Sequence, residues 1–312
     1  MIKKVLNSVA RLGVFIILLD VPSACFTGVE STPKITENDL KKQVPVNSEE
    51  TDYLAGIKHQ PLNDWTSGKQ FLVTDNKISL LLGPEMNHTE NLHGKIIRFQ
   101  QAEDVTSVTG TPIAQLSFMT PDSSIIKMNM DKSVADLSKR DMVEIPFTIE
   151  LSIVEDVKDK LQGQKYFIIT REWCDTANIP KSGHRFVPVE VNDVRPGNSF
   201  YPILLVMKDE NGQPFHLFMS VGKDPKAPRS FASLFSLTNP RLRYPAITDK
   251  TWQNIINGTV AQEMTREECR LAIGAPANID RRPGYSILTE IWSYENGRYL
   301  IFEDGLLRSF RL

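Results

Sequence analysis

Cysteine is scarce: Cys25, Cys174 and Cys269 are the three in a chain of 312 residues. So few thiols cannot staple a fold of this length, and hydrophobic cores must hold it instead. An excess of charge of one sign is also missing. The 36 basic and 38 acidic side chains leave a net charge of −2, which removes the electrostatic footprint of a nucleic-acid binder. Glycine (17) and proline (19) are too few for a collagenous or low-complexity chain. Glycine-rich phosphate loops of the G-x-G-x-x-G or G-x-x-x-x-G-K type do not occur. With 41% hydrophobic residues the chain is too apolar to be disordered, and its length predicts two or three domains.

Long apolar runs are missing too, and the short one near the start reads as an address. Met1-Ile2-Lys3-Lys4 is a positive opening, and Leu12 to Leu19 forms an apolar stretch closed by Asp20. A membrane span needs about 20 apolar residues, so this run has instead the layout of a secretory signal over residues 1–24. Val21-Pro22-Ser23-Ala24-Cys25 resembles a bacterial lipobox, with Pro22 where leucine is usual. That resemblance implies lipidation of Cys25, which would become the mature N-terminus. Removing residues 1–24 takes away Lys3, Lys4, Arg11 and Asp20, leaving 33 basic and 37 acidic groups, net −4. Residues 25–60 are rich in Ser, Thr, Glu, Asn and Pro without a sustained period and read as a flexible, lipid-anchored tether.

The middle of the chain repeats itself. Gly68–Thr74 is echoed by Gly163–Thr170, Glu103-Asp104-Val105 by Asn192-Asp193-Val194, Pro112–Met119 by Pro202–Met207, and Ile125–Met130 by Phe215–Met219. Order is preserved at an offset of about 90 residues, the signature of a duplicated unit. Strand-like runs in the first copy are Phe71–Thr74, Ile78–Leu82, Lys95–Gln101, Ile113–Met119 and Ile125–Met130. Their rhythm, without helices between them, predicts a small closed β-barrel in each copy. In size and strand spacing such modules resemble Src-homology-3-like folds. The predicted modules span 61–150 and 151–240, with a short amphipathic helix over Arg229–Leu237 closing the second.

The last seventy residues carry the clearest local signals. Thr248 or Asp249 caps a helix holding Trp252, Ile255 and Ile256, ended by Asn257-Gly258. Thr265-Arg266-Glu267-Glu268 is a capping box for a second helix. Three strands follow, Glu290–Glu295, Arg298–Glu303 and Leu306–Leu312, joined by Asn296-Gly297 and Asp304-Gly305, both suited to type I′ turns. The prediction is two helices on a three-stranded antiparallel sheet, making the chain mainly β with a C-terminal α+β domain at 241–312. Trp252-x-x-Ile255-x-x-Gly258, Met264 to Cys269, Leu271-x-x-Gly274-x-Pro276, Glu290-x-Trp292-x-Tyr294 and Phe302-Glu303-Asp304-Gly305 together resemble the BamE/SmpA-type domain. The resemblance covers about residues 247–312, with Glu263 where that family usually has glycine before Met-Thr. It implies an outer-membrane lipoprotein facing the periplasm that binds other envelope proteins.

Candidate chemistry is thin. Cys174, with His184 or His216 downstream, has the residue types of a nucleophile and its base, but no segment of catalytic-domain size is left over. Cys269 falls on the core side of a capped helix; whether it pairs with Cys174 the spacing does not decide. The five histidines, His59, His88, His93, His184 and His216, lack metal-ligand spacing. The expectation is therefore a protein without catalytic residues, metal or cofactor. Its membrane attachment would be the lipid on Cys25, and its partners other envelope proteins. The aromatic residues Trp65, Trp173, Trp292, Tyr294 and Tyr299 are the candidate interaction surface. Trp65, Trp173, Phe186, Tyr201 and Tyr244 gather at module ends, where stacking on peptidoglycan or glycan is the alternative.

Overall fold

The computed structural model describes residues 48–82, 91–222, 229–284 and 287–312. The predicted signal, Cys25 and most of the tether lie outside the described residues. The chain is mainly β, with three antiparallel sheets and few helices.

The described chain opens with helix α1 (Ser48–Asp52), then builds a first sheet from β1 (Gln70–Val73), β2 (Ile96–Thr106), β3 (Pro112–Met119), β4 (Ile125–Asn129) and β5 (Thr148–Glu150). The strand order is β4-β3-β2-β1-β5, every pair antiparallel. Alternation places Phe71, Val73, Ala114, Leu116 and Phe118 on one face, where they are buried. Trp65, Phe71, Phe99 and Phe118 meet there at centroid separations of 5.1–5.9 Å, in the tilted and edge-on geometries that aromatic pairs favour. A short helix α2 (Val134–Leu137), capped by Ser133, precedes β5.

Helix α3 (Leu151–Leu161) follows β5 without a linker and presents Ile153, Val154, Val157 and Leu161 to a second core. The second sheet contains β6 (Lys165–Ile168), β7 (Glu172–Cys174), β8 (Pro180–Ser182), β9 (Pro188–Pro196), β10 (Ile203–Lys208), β11 (Pro214–Met219) and, after helix α4 (Phe231–Leu234), β12 (Phe235–Ser236). Its order is β12-β6-β9-β10-β11-β7-β8. The repeat read in the sequence maps onto this topology strand by strand. In both copies four strands form an antiparallel meander, β1-β2-β3-β4 and β6-β9-β10-β11. A four-residue helix then leads to a last strand, β5 or β12, that pairs back on the first. The copies differ in the connection after the first strand. In the second it folds into the β7–β8 hairpin, which adds to the edge beyond β11.

Several expectations change. Ile78–Leu82 is not a strand: Asp75 accepts a hydrogen bond from the Lys77 amide and starts a 3-10 helix over Asn76–Leu81, an Asx cap overriding β propensity. The helix expected over Arg229–Leu237 is confined to Phe231–Leu234, because Phe235 turns extended to join β6. Both sheets leave different strands at their two edges, so neither is closed by a hydrogen-bonded ladder among the described residues. The tether does not run to residue 60. Glu50 is buried and accepts from the Ser236 hydroxyl (2.6 Å) and the Leu237 amide (2.9 Å). Leu54 joins the second core.

The third unit begins with helices α5 (Asp249–Asn257) and α6 (Arg266–Ile273). Thr248 caps α5 and Gly258 ends it with φ 68°, a left-handed residue that glycine adopts without strain. Thr265 and Glu268 form the expected capping box at α6. The sheet has four strands rather than three: β13 (Asn278–Pro283), β14 (Leu288–Ser293), β15 (Tyr299–Glu303) and β16 (Leu306–Arg311) in sequential order. The strand missed at β13 carries Asp280, Arg281, Arg282 and Pro283, a polar run whose only regularity is its pairing with β14. Of the two expected type I′ turns, Asp304 and Gly305 both have positive φ. At the other turn a single 3-10 turn over Glu295–Gly297 ends in Gly297 at φ 72°, making a three-residue loop.

Candidate functional site

A cleft of about 610 Å³ opens on the outer side of the second sheet. Trp173 faces the core and stacks on Phe215 at 3.9 Å. Its strand neighbours Glu172 and Cys174 therefore point the other way, onto the face that carries His216 and Phe218. Those two β7 residues, together with Phe218, Tyr201, Asn178 and Asn198, line the cleft, and the edge strand β8 forms its rim. The hairpin, present among the described residues in the second copy and not in the first, thus builds this site.

Arg229 fixes one wall. It sits at φ 60°, a strained conformation for a side-chain-bearing residue, and its guanidinium is largely buried. Nε donates to the Phe218 carbonyl (2.7 Å), while the terminal nitrogens reach the Glu172 carboxylate (2.8 Å) and the Glu172 carbonyl (2.9 Å). The charge also lies 5.9 Å from the centre of the Tyr201 ring. Arg171 also lines the cleft and donates to the Ile256 (2.6 Å) and Asn257 (2.5 Å) carbonyls at the end of α5. A cation is favourable there because the helix C-terminus is the negative end of its dipole.

The structure brings Cys174 opposite His216 and leaves His184 elsewhere, hydrogen-bonded to Glu210 at 3.0 Å. The Cys174–His216 pair is not poised as a nucleophile. Burial pushes the Cys174 thiol up, against a smaller opposing pull from Arg229. Burial and then Arg195 push the His216 imidazole down. Its Nδ1 is held by Asn178 Oδ1 at 2.7 Å. Both shifts favour the neutral thiol and neutral imidazole over a thiolate–imidazolium pair. Cys174 and Cys269 are free thiols rather than a disulfide, and burial followed by Glu268 pushes Cys269 up to about 12.

The aromatic surface expected from the sequence divides. Trp65, Trp173 and Trp292 are buried in the three cores, because an indole removes more water-exposed apolar area than any other side chain. Trp173 borders the cleft, but Phe215 covers one ring face and the close approach of Gly183 occupies the other; a Cβ at 183 would lie 1.9 Å from the ring. Neither Trp65 nor Trp173 therefore offers a free stacking platform. Tyr294 faces the helices and donates to the Gly274 carbonyl at 3.1 Å. Tyr299 lies opposite Ser293 and Arg311 on the face of the third sheet turned away from the helices. Arg229 and Arg171 were not legible as site residues, since their roles depend on carbonyls distant in sequence. Tyr201 stood out only as one aromatic among several at module ends.

Compared with known proteins, the chain matches no family model, no curated protein and no solved structure.

Proposed function

We propose that this chain is an exported, lipid-anchored protein of the bacterial envelope that works by binding other proteins rather than by catalysis. Three sequence features support the address: the secretory layout of residues 1–24, the lipobox-like approach to Cys25, and the BamE/SmpA-type motifs of 247–312. Each copy of the repeat is read as a Src-homology-3-like unit, in which a meander, a short helix and a returning last strand make one small core. The observation that carries the binding reading is the state of the cleft. Arg171 and Arg229 are held by surrounding carbonyl and carboxylate groups, so that with Tyr201 and Phe218 they shape a fixed surface beside the exposed strand β8.

The reading is tested in cells with a photocrosslinking phenylalanine analogue placed at Tyr201. A discrete protein adduct is expected there and not when the same analogue replaces fully exposed Val108 on the first module. Recovery of peptidoglycan or glycan alone would overturn it. Cys25→Ser tests the anchor separately: the protein is expected to leave the membrane fraction, and unchanged retention would refute lipidation.

A further inference from the structure

The edge strand β8 has an unfinished hydrogen-bond ladder. Asp175 N donates to Ile179 O and Gly183 N to Arg171 O, so the hydrogen-bonded pairs between β7 and β8 are 175–179, 173–181 and 171–183. By that alternation Lys181 spends its backbone groups on β7. The Ser182 amide and the Pro180 and Ser182 carbonyls point outward, without a partner among the described residues. Pro180 lacks a donor on that outer side, where its missing N–H breaks no existing bond. The edge therefore offers a single N–H flanked by two acceptors, which defines one register and discourages sliding. All three residues of β8 are exposed.

The opposite edge of the same sheet is treated differently. At β12 the Glu50 carboxylate of α1 accepts from the Ser236 hydroxyl and from the Leu237 amide just past the strand. One edge is capped from within the chain, and the other stands open beside an apolar cleft. The residues bordering that cleft include three cations, Arg171, Lys181 and Arg229, and one carboxylate, Glu172, an excess of two positive charges.

We infer that β8 is a docking edge for an extended peptide segment of a partner protein. The segment adds as a further strand through Ser182 and Pro180, places a bulky apolar side chain in the cleft against Tyr201 and Phe218, and carries an acidic residue next to it. This inference rests on the protein-binding reading above and names the partner's chemistry. Main-chain bonds supply affinity in this mode, and the pocket for alternate side chains supplies specificity.

The test uses the full chain and a fluorescein-labelled, end-blocked peptide of sequence Ser-Glu-Val-Phe-Val-Ser, with fluorescence anisotropy as readout. Wild type and Ser182→Ala are expected to bind alike, since both keep the outward N–H. Ser182→Pro removes that donor and spares the β7 pairing, and is expected to weaken binding about tenfold, the worth of one buried ladder bond. A peptide with lysine in place of glutamate is expected to bind more weakly than the parent. Hydrogen exchange on the wild-type complex supplies a readout independent of any variant. Exchange at the Ser182 amide should slow, while Lys181, already bonded to β7, stays unchanged. Binding undiminished by Ser182→Pro, or an unprotected Ser182 amide, would overturn the strand-addition mode. Failure of every peptide alongside a protein adduct from Tyr201 in cells would reject this inference and leave protein binding standing; failure of both would reject both.

Discussion

Glu150 shows how one side chain can fasten two repeated units. It is the last residue of β5, pairs with Phe71 in the first sheet, and immediately precedes α3 of the second unit. Its carboxylate is buried, with Lys69 against one oxygen, the Ser152 hydroxyl 2.7 Å from that same oxygen, and His59 Nδ1 2.9 Å from the other. Burial by itself would raise the carboxyl, yet the hydrogen bonds from His59, Lys69 and Ser152 outweigh it and hold Glu150 below its ordinary value. A carboxyl depressed in the folded state stabilises the fold above its unfolded pKa, and that stabilisation fades as pH falls through the folded value. Glu150→Gln, which leaves the Lys69 ammonium buried without its counter-charge, is expected to cost about 3 kcal/mol at neutral pH. In urea titrations the gap between wild type and variant should shrink steadily below about pH 4.3. A gap independent of pH would show that the carboxylate charge contributes nothing.

Among the elements, α1 is the one whose role the sequence conceals. Ser48–Asp52 lies in a polar, threonine- and glutamate-rich stretch without periodicity, and a single helical turn offers too few positions for an apolar stripe to register. Its docking depends on partners nearly two hundred residues away. Just beyond it Tyr53 stacks on Phe231 at 4.5 Å and shares a hydrogen bond with the Tyr166 hydroxyl at 3.0 Å. Tyr53→Ala is expected to destabilise the protein by about 2–3 kcal/mol through lost ring packing. It should also expose the segment near residue 50 to protease, and a change under about 0.5 kcal/mol would mean that the segment merely rests on the surface. The strands of the repeat, by contrast, were legible because alternation and order recur in both copies. Phe71 and Val73 match Tyr166 and Ile168, and all four are buried. What separates the copies was not legible: similar connections become a 3-10 turn at Asn76–Leu81 and a hairpin at Glu172–Ser182. The second outcome depends on β11 offering its edge, a long-range pairing that local propensity does not encode. The cleft was hidden for the same reason.

At the scale of the molecule, arginines join the second and third units alongside an apolar contact, in which Ile169 and Phe186 pack into the third core and Ile256 touches both cores. Arg171 caps the carbonyl end of α5, and Arg185 donates to the Leu271 carbonyl in α6 at 3.2 Å while its backbone amide reaches Ile256 O at 3.2 Å. Phe186, at φ 62°, follows Arg185 and enters the third core, stacking on Trp252 at 5.5 Å. Burial, with Arg171 close by, lowers the Arg185 guanidinium to about 10, so it remains charged at neutral pH. Arg171 therefore belongs to two structures at once: it borders the cleft and terminates a helix of the third unit. Arg171→Met, which keeps the aliphatic stem but removes the donors, leaves the last carbonyls of α5 without their cation. It is expected to cost about 1–2 kcal/mol and to accelerate hydrogen exchange over α5 and at Gly258. Exchange at the capping box of α6 should stay unchanged, because Thr265 and Glu268 are satisfied within their own helix. If the junction transmits as this geometry requires, the same substitution alters exchange in β8, which ends next to Gly183, the donor to the Arg171 carbonyl. Changes confined to α5 would instead make Arg171 a local helix cap, with the cleft and the third unit independent of one another.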